Sequence, residues 1–83
     1  MNIQEACRIA LNAMPGHVII SASEIETGWL FCFGLEDGSI PDIDPLFVSK
    51  TDGEKRIYSF EDHLMEILYA KPIQLSELEL GKQ

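Results

Sequence analysis

The stretch Gly28-Trp29-Leu30-Phe31-Cys32-Phe33-Gly34-Leu35 constrains this chain more than any other. It holds the only tryptophan and two of the four phenylalanines, and it carries no charge. A short aromatic run bounded by glycines reads as a strand buried within a sheet. Side chains alternate along a strand, so Trp29, Phe31 and Phe33 share one face while Leu30 and Cys32 share the other. The larger face is the expected partner of the helices.

The rest of the chain reads as cover and extension for that strand. Ile3, Ala6, Cys7, Ala10, Leu11 and Met14 recur at steps of three and four, which predicts a helix over 3–14, capped by Asn2 and ended by Pro15-Gly16. The β-branched segment 17–26 predicts a first strand, and a tight turn at Thr27-Gly28 joins it to the strand at 29–35 as a hairpin. Residues 36–45 are acidic and carry two prolines, and they read as a surface loop. Strands are expected at 46–50 and 55–58, joined by a turn that contains Asp52-Gly53. Ser59 is placed as the N-cap of a second helix over 60–71, with Phe60, Leu64, Ile67 and Leu68 as its apolar stripe. The tail 72–83 reads as an edge strand, a short helix from Ser76 or a frayed end.

These elements make one α+β domain over 1–83. About four antiparallel strands carry an N-terminal and a C-terminal helix on one face, and the expected core is Trp29, Phe31, Phe33, Leu11, Leu64 and Leu68. A chain of 83 residues buries about 60 to 65% of its unfolded surface, too little for a second domain or a deep catalytic cleft.

Six Lys and Arg stand against 14 Asp and Glu, for a net charge of −8. Phosphate-binding surfaces need clustered cations, and Arg8, Lys50, Lys55, Arg56, Lys71 and Lys82 are scattered, so nucleic acid is not an expected partner. The acidity suits either solubility or a basic protein partner. Cys7 and Cys32 sit in apolar patterns and read as free, buried thiols. The first residues lack a signal-peptide pattern and no apolar run reaches the ~20 residues of a membrane helix, so a soluble, cytoplasmic protein is expected.

No catalytic constellation stands out, and no cofactor or metal is expected. His17 and His63 lack metal-pair spacing. His63 with Glu61, Asp62 and Glu66 forms an acid-base group on paper, but such a helix face is ordinarily a solvated one. Cys32 lies between Phe31 and Phe33, a setting that disfavours a thiolate. Gly28, Gly34, Gly38 and Gly53 are isolated and form no phosphate loop. The loop carboxylates lack the order of a calcium loop. The functional reading of that loop is a partner-binding surface made of Glu36, Asp37, Ile40, Asp42, Ile43 and Asp44, in which apolar side chains stand among steering charges.

Taken in order, the Gly28-Trp29-Leu30-Phe31-Cys32-Phe33 strand, the segment Pro45-Leu46-Phe47-Val48-Ser49-Lys50-Thr51-Asp52-Gly53-Glu54 and the closing Phe60-Glu61-Asp62-His63-Leu64 resemble a bacterial immunity-protein family. This is the group called immunity protein 35 or YrhB-like, in which a Gly-Trp-aromatic strand precedes a proline, a hydrophobic strand, a Lys-x-x-Gly-Glu turn and a short helix. The resemblance implies a small cytoplasmic protein, monomer or homodimer, that binds and neutralises a cognate toxin without catalytic residues. An acidic inhibitor suits a toxin with a basic surface, such as a nuclease. The alternative expectation is a small acidic secretion chaperone that holds an exported effector through an exposed apolar surface. A small enzyme acting through His63 is a third class.

Overall fold

The structure, a computed structural model, describes residues 1–74 and 76. Helix α1 (Ile3–Ala13) is followed by strands β1 (His17–Ile25), β2 (Gly28–Leu35), β3 (Leu46–Ser49) and β4 (Lys55–Ile57), helix α2 (Phe60–Leu68) and strand β5 (Lys71–Ile73). The domain is α+β, with one antiparallel sheet in the order β4-β3-β2-β1-β5. The sheet has five strands where about four were expected. The added strand begins at Lys71, in the segment expected to end the second helix. It pairs Ala22, Ser23 and Glu24 of β1 with Ile73, Pro72 and Lys71. Proline is tolerated there because β5 is an edge. The reading of the segment after residue 74 as a short helix or a frayed tail lies, Ser76 apart, outside the described residues.

Asn2 caps α1 as its side chain predicts, Oδ1 accepting the Glu5 amide at 2.9 Å. The buried side of the helix is Ala6, Cys7 and Ala10, and these small residues let it lie close on the sheet. Beneath it are Trp29, Phe31, Phe33, Ile19, Ala22, Leu46 and Val48, with Ile3, Leu11 and Met14 packed around the rim.

Ile19 and Ala22 both face this core because Ile20 is an extra residue in β1. The register passes from Ile19 opposite Phe33 to Ser21 opposite Cys32, and such a bulge reverses the alternation after it. The turn of the β1–β2 hairpin is Glu26-Thr27, one residue earlier than expected, and Gly28 is the first residue of β2. Gly28 is needed for room rather than for turn geometry. A Cβ there would stand 2.3 Å from the Val48 carbonyl oxygen and 2.5 Å from the Phe47 ring.

Expectation and structure part on the placement of the helices, which lie on opposite faces of the sheet. The second face carries Leu30, Phe47 and Tyr58, against which Ile25, Ile67 and Ala70 pack. The topology gives the reason. β4 and β5 are opposite edges of the sheet, so the chain between them has to cross it, and α1 already fills the first face. Leu64 and Leu68, expected in the core, are 47% and 65% exposed. The contact with the sheet goes through Ile67 and Ala70 instead.

Removing the indole from the filled face should cost about 3 to 5 kcal/mol, whereas truncation of an exposed leucine removes little buried area. Urea unfolding of Trp29→Ala is therefore expected to show a loss in that range and Leu68→Ala a loss below about 1 kcal/mol. Similar losses for the two variants would contradict this division of the faces.

Candidate functional site

The acidic loop is built by short-range hydrogen bonds. Ser39 donates both its amide, at 2.9 Å, and its hydroxyl, at 2.6 Å, to Oδ1 of Asp37. Gly38 takes a φ of +92°, a conformation that disfavours other residues. The Leu35 amide donates to the Ser39 carbonyl at 2.9 Å and closes the turn onto the end of β2. The Ser39 hydroxyl, then its amide, hold the Asp37 carboxyl below its ordinary value. Ile40 is 71% exposed, and Glu36, Asp37, Asp42 and Ile43 also face water, while Asp44 is half-buried.

A second surface, which the sequence reading assigned to the core, lies on α2. Its N-terminus follows the expected pattern. Ser59 Oγ accepts the Asp62 amide at 3.2 Å and Glu61 and Asp62 occupy the first turn. The helix bends at His63, whose φ of −127° and ψ of 25° leave helical geometry. The bend brings the imidazole flat onto Tyr58, with ring centroids 3.7 Å apart, and Tyr58 stacks in turn on Phe47 at 4.6 Å. Glu66 closes the group, with Oε1 3.1 Å from His63 Nδ1 and Oε2 accepting the Tyr58 hydroxyl at 3.4 Å. Arg56 lies over the Phe47 ring.

This stack and Ile67 hold one side of α2 to the sheet. The other side presents Phe60, Leu64, Met65 and Leu68 to solvent, followed by Tyr69, and no α2 residue is fully buried. Met65 is 62% and Tyr69 77% exposed. The signal available in the sequence was the excess of apolar residues. Phe60, Leu64, Met65, Ile67, Leu68 and Tyr69 surround more of the helix than one core-facing stripe requires.

At the C-terminal end of α2 a groove of about 610 Å³ is lined by Glu24, Ile25, Glu26, Thr27, Lys50, Glu66, Tyr69 and Lys71. Lys50 is engaged there by Glu24 at 2.5 Å and stands over the Trp29 ring.

Of the paper acid-base group, the structure brings His63 and Glu66 together, while Asp62 turns back to Ser59, whose hydroxyl donates to it at 3.0 Å. His17 sits apart from them, its Nδ1 3.1 Å from the Pro15 carbonyl and its ring edge-on to Phe33. Cys7 and Cys32 are free thiols, Cys7 buried and Cys32 half-buried. Burial raises the Cys7 thiol above its ordinary value, partly offset by Arg8. Among the described residues no group of three His, Cys, Asp or Glu side chains is arranged to hold a metal ion. No helix among them is long and apolar enough to cross a membrane. Comparison of the chain with protein-family models, with curated proteins and with solved structures finds no match.

Burial, and then the Glu66 carboxylate, raise the Tyr58 phenol above its ordinary value of 10.0, with Thr27 and Arg56 opposing. The fold thus favours the neutral phenol. That preference stabilises the protein fully below about pH 10 and is lost as pH rises through the raised native value. Stability should fall less between pH 9 and 11 in Tyr58→Phe than in the unaltered chain, measured by urea unfolding. Equal losses would contradict a raised native value for the Tyr58 phenol.

Proposed function

We propose that this chain is a non-enzymatic immunity protein of the immunity protein 35 or YrhB-like kind, which acts in the cytoplasm by binding and neutralising a cognate bacterial toxin. The observation that carries the protein-binding part is the outer side of α2. Its apolar side chains stand in water among carboxylates, an arrangement that marks contact surfaces more often than idle ones. The ordered resemblance from Gly28 to Leu64 supplies the toxin as partner. The acidic loop with Ile40 and Ile43 offers a second, separate contact region. The net charge of −8 suits a basic toxin, because complementary charge raises the association rate and disfavours wrong partners.

The same apolar strip supports a second reading, an acidic secretion chaperone, since a chaperone requires exposed apolar surface. Co-expression with the product of the adjacent gene separates the two. A neighbour that is toxic alone, co-purifies with this chain and is silenced by it is the expected result. A harmless neighbour that is stabilised or exported only in the presence of this chain would move the assignment to a chaperone, and absence of any complex would overturn both.

A further inference from the structure

We infer that the outer side of α2, together with the groove at its C-terminal end, docks a cationic amphipathic segment of the partner protein. This inference rests on the protein-binding reading above. Past the bend at His63, Leu64 and Leu68 stand a step of four apart with Met65 beside them, and Phe60 adds an exposed ring on the other side of the bend. At about 1.5 Å per residue the regular part of α2 past the bend, residues 64–68, presents roughly 7 Å of strip, enough for one turn or more of a partner helix.

The flanking charge is of one sign. Glu61, Asp62 and Glu66 are the carboxylates of α2, which contains no lysine or arginine. In the groove, Lys50 is held by Glu24, and Glu66 by His63 and Tyr58, so that Glu24, Glu26 and Glu66 stand against Lys50 and Lys71 and the lining keeps an excess of carboxylate. A lysine or arginine side chain entering the groove meets this carboxylate excess beside the exposed Tyr69 ring, which adds a face for cation–π contact.

The same charges argue against a second copy as occupant. A two-fold interface sets a surface patch against itself, so Glu61, Asp62 and Glu66 would meet their own equivalents on a chain that also carries −8.

The test uses two probes, a helical leucine–lysine peptide and its leucine–glutamate counterpart, titrated against the whole chain by fluorescence anisotropy. The lysine peptide is expected to bind, more weakly as salt is raised, and the glutamate peptide is not. The double variant Met65→Ser with Leu68→Ser leaves the charge unchanged and alters only exposed side chains. It should bind roughly tenfold or more weakly while keeping the circular dichroism of the parent. Glu26→Gln with Glu61→Gln, both exposed and outside the stack, should weaken binding in the same direction.

Unchanged affinity in the Met65/Leu68 variant would overturn the inference and show unspecific charge attraction. A dimer in sedimentation that the same variant dissociates would also overturn it, by making the strip an interface between copies. The assay needs no toxin, so its failure leaves the neutralisation reading to the growth test, and failure of the growth test leaves the peptide result standing.

Discussion

The opposed burial of Leu30 and Phe31 on one strand is the constraint on which the rest of the structure depends. β2 is the middle of five strands and both side chains are withdrawn from water. Complete burial of side chains of this size contributes about 1.5 to 3 kcal/mol each. Each face therefore needs a cover, and the chain has one helix for each. α1 meets the aromatic face with small residues and lies flat on it. α2 has to cross the second face on its way from one edge of the sheet to the other, and it is held there by Ile67, Ala70 and a column of three stacked rings.

That column makes α2 an economical cover. Phe47, Tyr58 and His63 stack in sequence, and aromatic pairs contribute about 0.5 to 1.5 kcal/mol beyond the area they bury. The bend at His63 is the local distortion that permits the stack. With the inner side held in this way, the outer side stands exposed. It nevertheless carries Phe60, Leu64, Met65 and Leu68 rather than the polar residues a solvated helix would have. An apolar strip on a helix whose charged residues are all carboxylates is what the proposed protein-binding role rests on.

Local signals in the sequence were legible wherever one residue type has one physical use. Asn2 and Ser59 cap the helices, Gly53 takes a positive φ in the β3–β4 turn, and Trp29, Phe31 and Phe33 line one buried face. What was not legible depended on contacts between distant segments. Gly28 reads as a turn residue until Phe47 is seen to occupy the space of its missing Cβ. The extra residue at Ile20 leaves no mark in the composition of β1. The placement of α2 follows from the strand order, which local patterns do not encode. Leu64 and Leu68 consequently looked like core, and the exposed apolar side of α2 was not legible beside the acidic loop, where Ile40 stands among Glu36, Asp37, Asp42 and Asp44.

The central claim is that the two faces of the sheet are closed differently, one fully and one by a helix that keeps its own apolar side in water. Hydroxyl-radical footprinting of the free protein with mass-spectrometric readout tests it most directly, because methionine and tryptophan both report exposure. The account predicts rapid oxidation of Met65 and strong protection of Trp29, which is only 6% exposed. Protection of Met65 to the same degree as Trp29 would contradict it.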